Sequence, residues 1–243
     1  MRSQLLLLCG LGILISQSSC QQKTFDPALA GSFFPLKPGL TWTYRFIDNR
    51  YGNGTWTDRV LGTAHPQSRE NGSEVVSRYS SPTGVLDSSI VYVPEHGYFT
   101  RRLIIRKNDW ITSEDAFLPQ LLKPDLVWSS SLIPFGEQGG TFQVAQTHRS
   151  FFDSRTIEVP AGRFTGCIRI ETTARYESIL KVNPPLQLKY FDWYAPNVGL
   201  IKTLVMQPGL FGSEVARIEL MRFGSVQRDV VLAHPTAARA EPG

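Results

Sequence analysis

The sequence predicts an all-β fold, an antiparallel barrel or sandwich built from two pseudo-repeated halves, and three observations carry that prediction. Charged residues make up only 19% of the 243-residue chain, below the roughly 25% of an average soluble protein. That deficit argues against a helical bundle laced with ion pairs. Gly and Pro occupy 20 and 16 positions, and many of them fall in short clusters that punctuate the chain as turns. Between these clusters, apolar residues alternate with polar ones, the period-two mark of a half-buried strand.

The first element is an export signal. Arg2 supplies a positive charge, Leu5 to Ile15 form an apolar run of eleven residues, and Ser16 to Ser19 give a small polar exit. As a helix, that run spans roughly 16 Å, about half of a ~30 Å hydrocarbon core, so it is too short for a membrane anchor. Cys20 follows Ser18-Ser19 and resembles the lipid-bearing cysteine of bacterial lipoprotein signals, although Gln17 stands where such signals carry an aliphatic residue. Lipidation would hold the mature chain at a membrane. Cleavage near Ser18 without lipidation would release it as a secreted, soluble protein. Cys9 leaves with the signal and Cys20 is the lipid site, so Cys167 is alone and no disulfide framework is expected.

Next come the strands. Trp42, Tyr44 and Phe46 alternate with Thr41, Thr43 and Arg45, and the same rhythm returns at Ile168 to Glu171 and at Ala216 to Leu220. Antiparallel sheet with one wet face follows. Ser113 to Leu118 has a capping serine and an acidic first turn, but Pro119 follows at once, so a turn is expected there. From Ser225 the pattern fades into a tail.

An internal similarity organises these elements. Leu36 to Trp42 matches Leu122 to Trp128 at five of seven positions, offset by 86 residues. Gly54-Thr55-Trp56 meets Gly140-Thr141-Phe142 at the same offset, and Tyr92 to Gly97 meets Tyr194 to Gly199 at an offset of 102. A duplication is expected, with the extra residues of the second copy in a longer hairpin around Asn183-Pro184-Pro185. The organisation read from this is a signal over 1–19, a tether over 20–33, a duplicated β domain over 34–224 (halves 34–118 and 119–224) and a disordered tail over 225–243.

The turn-and-strand signatures Phe34 to Tyr44, Val159 to Phe164 and Trp193 to Lys202 resemble a family of exported bacterial proteins that includes the TapB-like proteins. The resemblance implies a β-rich, barrel-like envelope protein, often lipidated, with no established chemistry. It brings no site residue except the lipid-site cysteine.

Motifs for chemistry are missing. There is no Gly-x-x-x-x-Gly-Lys-Ser/Thr, His-Glu-x-x-His, Cys-x-x-Cys or Gly-x-Ser-x-Gly. The four histidines are widely separated, so neither a metal site nor a cofactor is expected. His148 and Asp153 could orient a nucleophile, but no serine is singled out. The formal charge of +4 is spread along the chain. Its densest set, Arg101, Arg102, Arg106 and Lys107, would be divided between two sheet faces, so nucleic acid is not an expected partner.

The remaining signal is aromatic. Trp42, Tyr44, Phe46, Trp128, Phe191 and Trp193 either fill a core or line a cavity for an apolar ligand. The functional expectation is a non-enzymatic, membrane-anchored envelope lipoprotein facing the periplasm or the exterior, with a binding or assembly role and an envelope protein partner. The alternative is a carrier of a lipid or other apolar ligand.

Overall fold

A computed structural model describes residues 25–49, 52–63, 72–82, 84–105, 110–135, 142–178, 185–209 and 212–225. The period-two segments form strands β1 (Leu40–Asp48), β2 (Gly52–Thr63), β3 (Ser73–Ser81), β4 (Gly84–Glu95), β5 (Tyr98–Ile105), β6 (Trp110–Pro119) and β7 (Val127–Phe135). The second part of the chain adds β8 (Phe142–Asp153), β9 (Ile157–Val159), β10 (Gly162–Phe164), β11 (Cys167–Ser178), β12 (Leu186–Ala195), β13 (Gly199–Gln207) and β14 (Ser213–Ser225).

Twelve of these strands close a barrel in the order β1-β14-β13-β12-β11-β8-β7-β6-β5-β4-β3-β2. Every ladder is antiparallel, and β14 pairs with β1 from Leu40↔Ser225 to Asp48↔Ala216. Closure removes sheet edges, which would otherwise present unpaired backbone groups. Six strands come from each side of the β6–β7 connection, and all twelve share one sheet. The short β9–β10 hairpin lies outside the ring.

Register decides which residues face inward. Trp42 pairs with Asp58 and Tyr44 with Trp56. Trp56 pairs in turn with Tyr79, and Asp58 with Ser77. The lumen therefore receives Trp42, Tyr44, Phe46, Trp56, Asp58 and their partners, because alternate residues of a strand share a face. The turns carry the φ angles their sequences demand: His96 and Asn197 are left-handed at 50° and 60°, and Gly97 and Gly199 follow at 83° and 98°.

Two segments differ from the sequence expectation. Ser113 to Leu118 lies within β6, not in a turn, and Ser113 and Glu114 pair with both β5 and β7. Pro119 leaves too few residues for a helical nucleus, whereas the ladder satisfies the backbone on both sides. The segment expected as a tether over 20–33 packs against the barrel from Phe25 onward. It forms a short 3-10 helix (Pro27–Ser32) capped by Asp26, whose side chain accepts from the Ala28 amide.

Phe33 is 1% exposed, and Phe34 packs edge-on against Tyr92, Phe99 and Phe117 at 5.0 to 6.0 Å. The Asn197 amide donates to the Ser32 carbonyl at 2.9 Å. The segment thus forms a floor across the barrel end where β4 turns into β5 and β12 into β13. Cys20, Arg106, Lys107, Gly140, Thr141, Asn183, Pro184 and the tail from 226 lie outside the described residues.

Candidate functional site

The inward-facing set is not purely aromatic. A cavity of about 260 Å³ lies in the barrel interior, and its lining mixes apolar side chains, among them Trp56, Phe117, Trp128, Ile170 and Val205, with the polar Arg101, Glu114, Gln146, His148 and Asp192. A more apolar pocket of about 90 Å³ adjoins it, lined by Phe34, Leu36, Trp42, Tyr44 and Ile90 among others. The two share Trp56, Arg101, Phe117, Tyr194 and Leu200 as a common wall.

At the centre stands an ion pair. Arg101 on β5 reaches Glu114 on β6 at 2.5 Å, and Glu114 is only 2% exposed while 30% of the Arg101 side chain is accessible, toward the cavity it lines. The guanidinium also sits 4.3 Å over the Phe117 ring. Glu114 accepts further bonds from Ser130 at 3.0 Å and Gln146 at 3.1 Å. A buried carboxylate needs such a saturated shell, since an unpaired charge there is costly.

The network fixes the protonation of His148. Ser130 has one proton and gives it to Glu114, so the contact between Ser130 Oγ and His148 Nε2 at 2.9 Å requires the imidazole to donate. Nδ1 then accepts from Thr172 Oγ1 at 2.8 Å. Burial, reinforced by the Arg101 charge, lowers the His148 pKa to about 4, so the ring is neutral at pH 7. Its face stacks on Trp128, with centroids 4.8 Å apart and planes 16° apart.

Two further carboxylates face the lumen without a cation in salt-bridge contact among the described residues. Asp58 accepts from Trp56 Nε1 at 2.6 Å and from the Ser77 hydroxyl. Asp192 accepts from Thr203 Oγ1 at 2.6 Å, its one hydrogen-bond donor among the described residues. Burial raises both pKa values from 3.8 to about 6, against the lowering effect of these bonds and of Arg101. Burial likewise holds Tyr44, Tyr92, Tyr190 and Tyr194 well above the usual phenol range.

The aromatic residues expected from sequence divide between two faces. Trp42 donates from Nε1 to the Val198 carbonyl at 2.6 Å, and Tyr44 donates to the Leu200 carbonyl at 3.2 Å. Both line the smaller pocket. Phe46 meets Tyr79 edge-on at 5.6 Å, and Trp128 lines the larger cavity. Phe191 and Trp193 lie on the outer face, because the inward parity of β12 belongs to Tyr190, Asp192 and Tyr194. Trp193 Nε1 donates to Asp153 at 3.0 Å, in a cleft it shares with Ile157 and Lys202.

His148 and Asp153, five residues apart, also face opposite sides of β8. Asp153 is bound bidentately by Arg155 at 2.9 and 2.7 Å, which together with Trp193 lowers its pKa to about 2. Burial pushes the Cys167 thiol up to about 12. No cluster of three or more His, Cys, Asp or Glu that could hold a metal ion occurs among the described residues.

Comparison with known proteins finds a family likeness over one segment, which holds part of the lumen wall. A family model described as DUF3108-like matches residues 129–204. That segment contains Ser130, Gln146, His148, Thr172 and Asp192 together with the Val159 to Phe164 and Trp193 to Lys202 signatures. Two solved structures resemble the barrel. One is a candidate lipoprotein of Parabacteroides distasonis, with a TM-score of 0.52 at 18% identity, covering 80% of this chain and 99% of that one. The other is a candidate exported protein with a YmcC-like fold from Bacteroides fragilis, with a TM-score of 0.56 at 16% identity, covering 80% and 100%. At these identities the likeness is one of fold. No curated protein matches the chain.

Proposed function

We propose that the protein is a non-enzymatic binding component of the cell envelope, tethered through a lipid on Cys20, that holds a small amphipathic ligand in its barrel. The observation that carries this reading is the lumen. Its larger cavity of about 260 Å³ and the adjoining apolar pocket of about 90 Å³ together reach the lower end of ligand pockets, roughly 300–1,000 Å³. A lining that mixes rings and aliphatic side chains with hydrogen-bonding groups suits a ligand that carries both apolar and polar parts.

The state of the nucleophile and base candidates supports a binding role. Both nitrogens of His148 are engaged, the Ser130 proton is committed to Glu114, and Cys167 is held as a thiol by burial. The signal segment and the lipoprotein-like setting of Cys20 support export and tethering. A second reading, a carrier of a wholly apolar ligand such as an acyl chain, is favoured by the smaller pocket with Phe34, Leu36 and Ile90. The charged wall of the larger cavity favours the amphipathic ligand.

Native mass spectrometry of protein purified from its own envelope tests the proposal. The expected species begins at an acylated Cys20 and retains a small non-covalent mass that is released on unfolding. An unmodified N-terminus would remove the tether, and a barrel that retains nothing would remove the ligand. A retained mass equal to a fatty acid or phospholipid would move the assignment to the second reading.

A further inference from the structure

We propose that the lumen binds a small organic ammonium compound, with Asp192 taking the cationic group and Trp128 Nε1 donating to an acceptor elsewhere on the same molecule. This inference rests on the lumen being a ligand site and names the chemical class of that ligand.

Charge balance is the first argument. Among the described residues, Arg101 is the one cation lining either pocket, and the lumen also holds the carboxylates of Asp58, Glu114 and Asp192. Glu114 takes the Arg101 guanidinium directly. Among the described residues, Asp58 has two hydrogen-bond donors and Asp192 only one, and neither has a cation in salt-bridge contact. Carboxylates shielded from bulk water are ordinarily paired or saturated with donors, and Asp192, half-buried against the cavity, has the fewest donors of the three lumen carboxylates among the described residues. A ligand cation beside it would supply the missing charge.

The surroundings suit a cation in a second way. Trp56, Tyr176, Tyr190 and Tyr194 line the same cavity, and aromatic faces attract ammonium groups more strongly where water is excluded.

An independent observation comes from Trp128. It is 6% exposed and lines the cavity, yet its Nε1 is buried with no hydrogen-bond partner among the described residues. A buried indole N–H normally finds an acceptor. Stacking on His148 holds the ring in place, and because Nε1 has almost no accessible surface, an acceptor reaches it only by displacing the side chains that cover it. A hydroxyl or carbonyl oxygen on the ligand would meet that need. A neutral polyol would also satisfy Trp128, but it would leave the charge of Asp192 uncompensated.

Full-length protein purified from the envelope in detergent can be titrated calorimetrically with four probes: aminohexanol, hexylammonium, hexanol and hexanoate. Aminohexanol is expected to bind best, hexylammonium next, and hexanol and hexanoate at least tenfold more weakly than aminohexanol. Asp192→Asn should weaken both ammonium probes at least tenfold, and Trp128→Phe should remove the advantage of aminohexanol over hexylammonium. Glu158→Gln, on the exposed β9 pair with Arg163, should change neither.

Equal binding of hexanol and aminohexanol would overturn the ammonium assignment while leaving the lumen a ligand site. Unchanged ammonium affinity in Asp192→Asn would do the same for the role of Asp192. Failure of every probe, with no small mass retained by protein from the envelope, would overturn the lumen as a ligand site as well.

Discussion

Asp192 illustrates how much a single inward position costs. Burial moves its pKa from 3.8 to about 6, so the folded state holds the proton more tightly than the unfolded chain. The associated stability is fully present below pH 3.8 and is lost as the pH rises through about 6. With each pKa unit worth 1.36 kcal/mol, the penalty at neutral pH is on the order of 3 kcal/mol. Asp192→Asn in unliganded protein is therefore expected to raise stability at pH 7.5 by about 1–3 kcal/mol and to flatten the fall in Tm between pH 4 and 6, as read by thermal melts. A variant that melts lower at pH 7.5 would contradict this. Gly54 shows the opposite kind of constraint: a Cβ there would stand 2.6 Å from the Ser80 carbonyl oxygen of the neighbouring strand. Gly54→Ala should cost about 1–3 kcal/mol in urea denaturation by forcing β2 and β3 apart. The Gly-Thr-aromatic motif was visible in sequence, but the reason for its glycine, a backbone approach, was not.

At the scale of elements, the strands and turns were legible because alternation and φ preference are local. Trp42, Tyr44 and Phe46 share a parity on β1, and Gly97 and Gly199 supply the positive φ their turns require. Parity was legible too, but the face it faced was not. Leu188 to Tyr194 carries large apolar residues on both sides, and only register with β11 and β13 sends Asp192 inward and Trp193 outward. A polar residue at the parity of the rings, as in Trp56-x-Asp58 and Tyr190-x-Asp192-x-Tyr194, was the available signal for the lumen carboxylates. The floor residues up to Phe33 were read as part of a tether over 20–33, because they show no strand period and a packing partner such as Phe152, against Phe25, is remote in sequence. Phe33→Ala is expected to destabilise the protein by about 3–5 kcal/mol, the usual cost of emptying a buried phenylalanine site. Chemical denaturation checks this, and a loss below 1 kcal/mol would show that the floor is not packed as described.

For the whole molecule, the proposed division of labour is between an N-terminal lipid and a barrel that folds without it. Cys20→Ala is expected to move the protein from the membrane to the soluble fraction while its Tm stays unchanged, measured by fractionation and thermal melts; retention at the membrane would remove the tether. By itself, the sequence determined the all-β class, the strand rhythm, the turn positions and the absence of familiar catalytic motifs, since each depends on residues a few positions apart. Closure of β14 on β1 and the meeting of Arg101, Glu114, His148 and Asp192 in one lumen were decided only by tertiary structure. Those residues stand on strands β5, β6, β8 and β12, and no local preference encodes their approach. Cross-strand register alone brings them together, and the same register sorts Trp128 from Trp193, two tryptophans that look alike in sequence but face opposite sides of the wall.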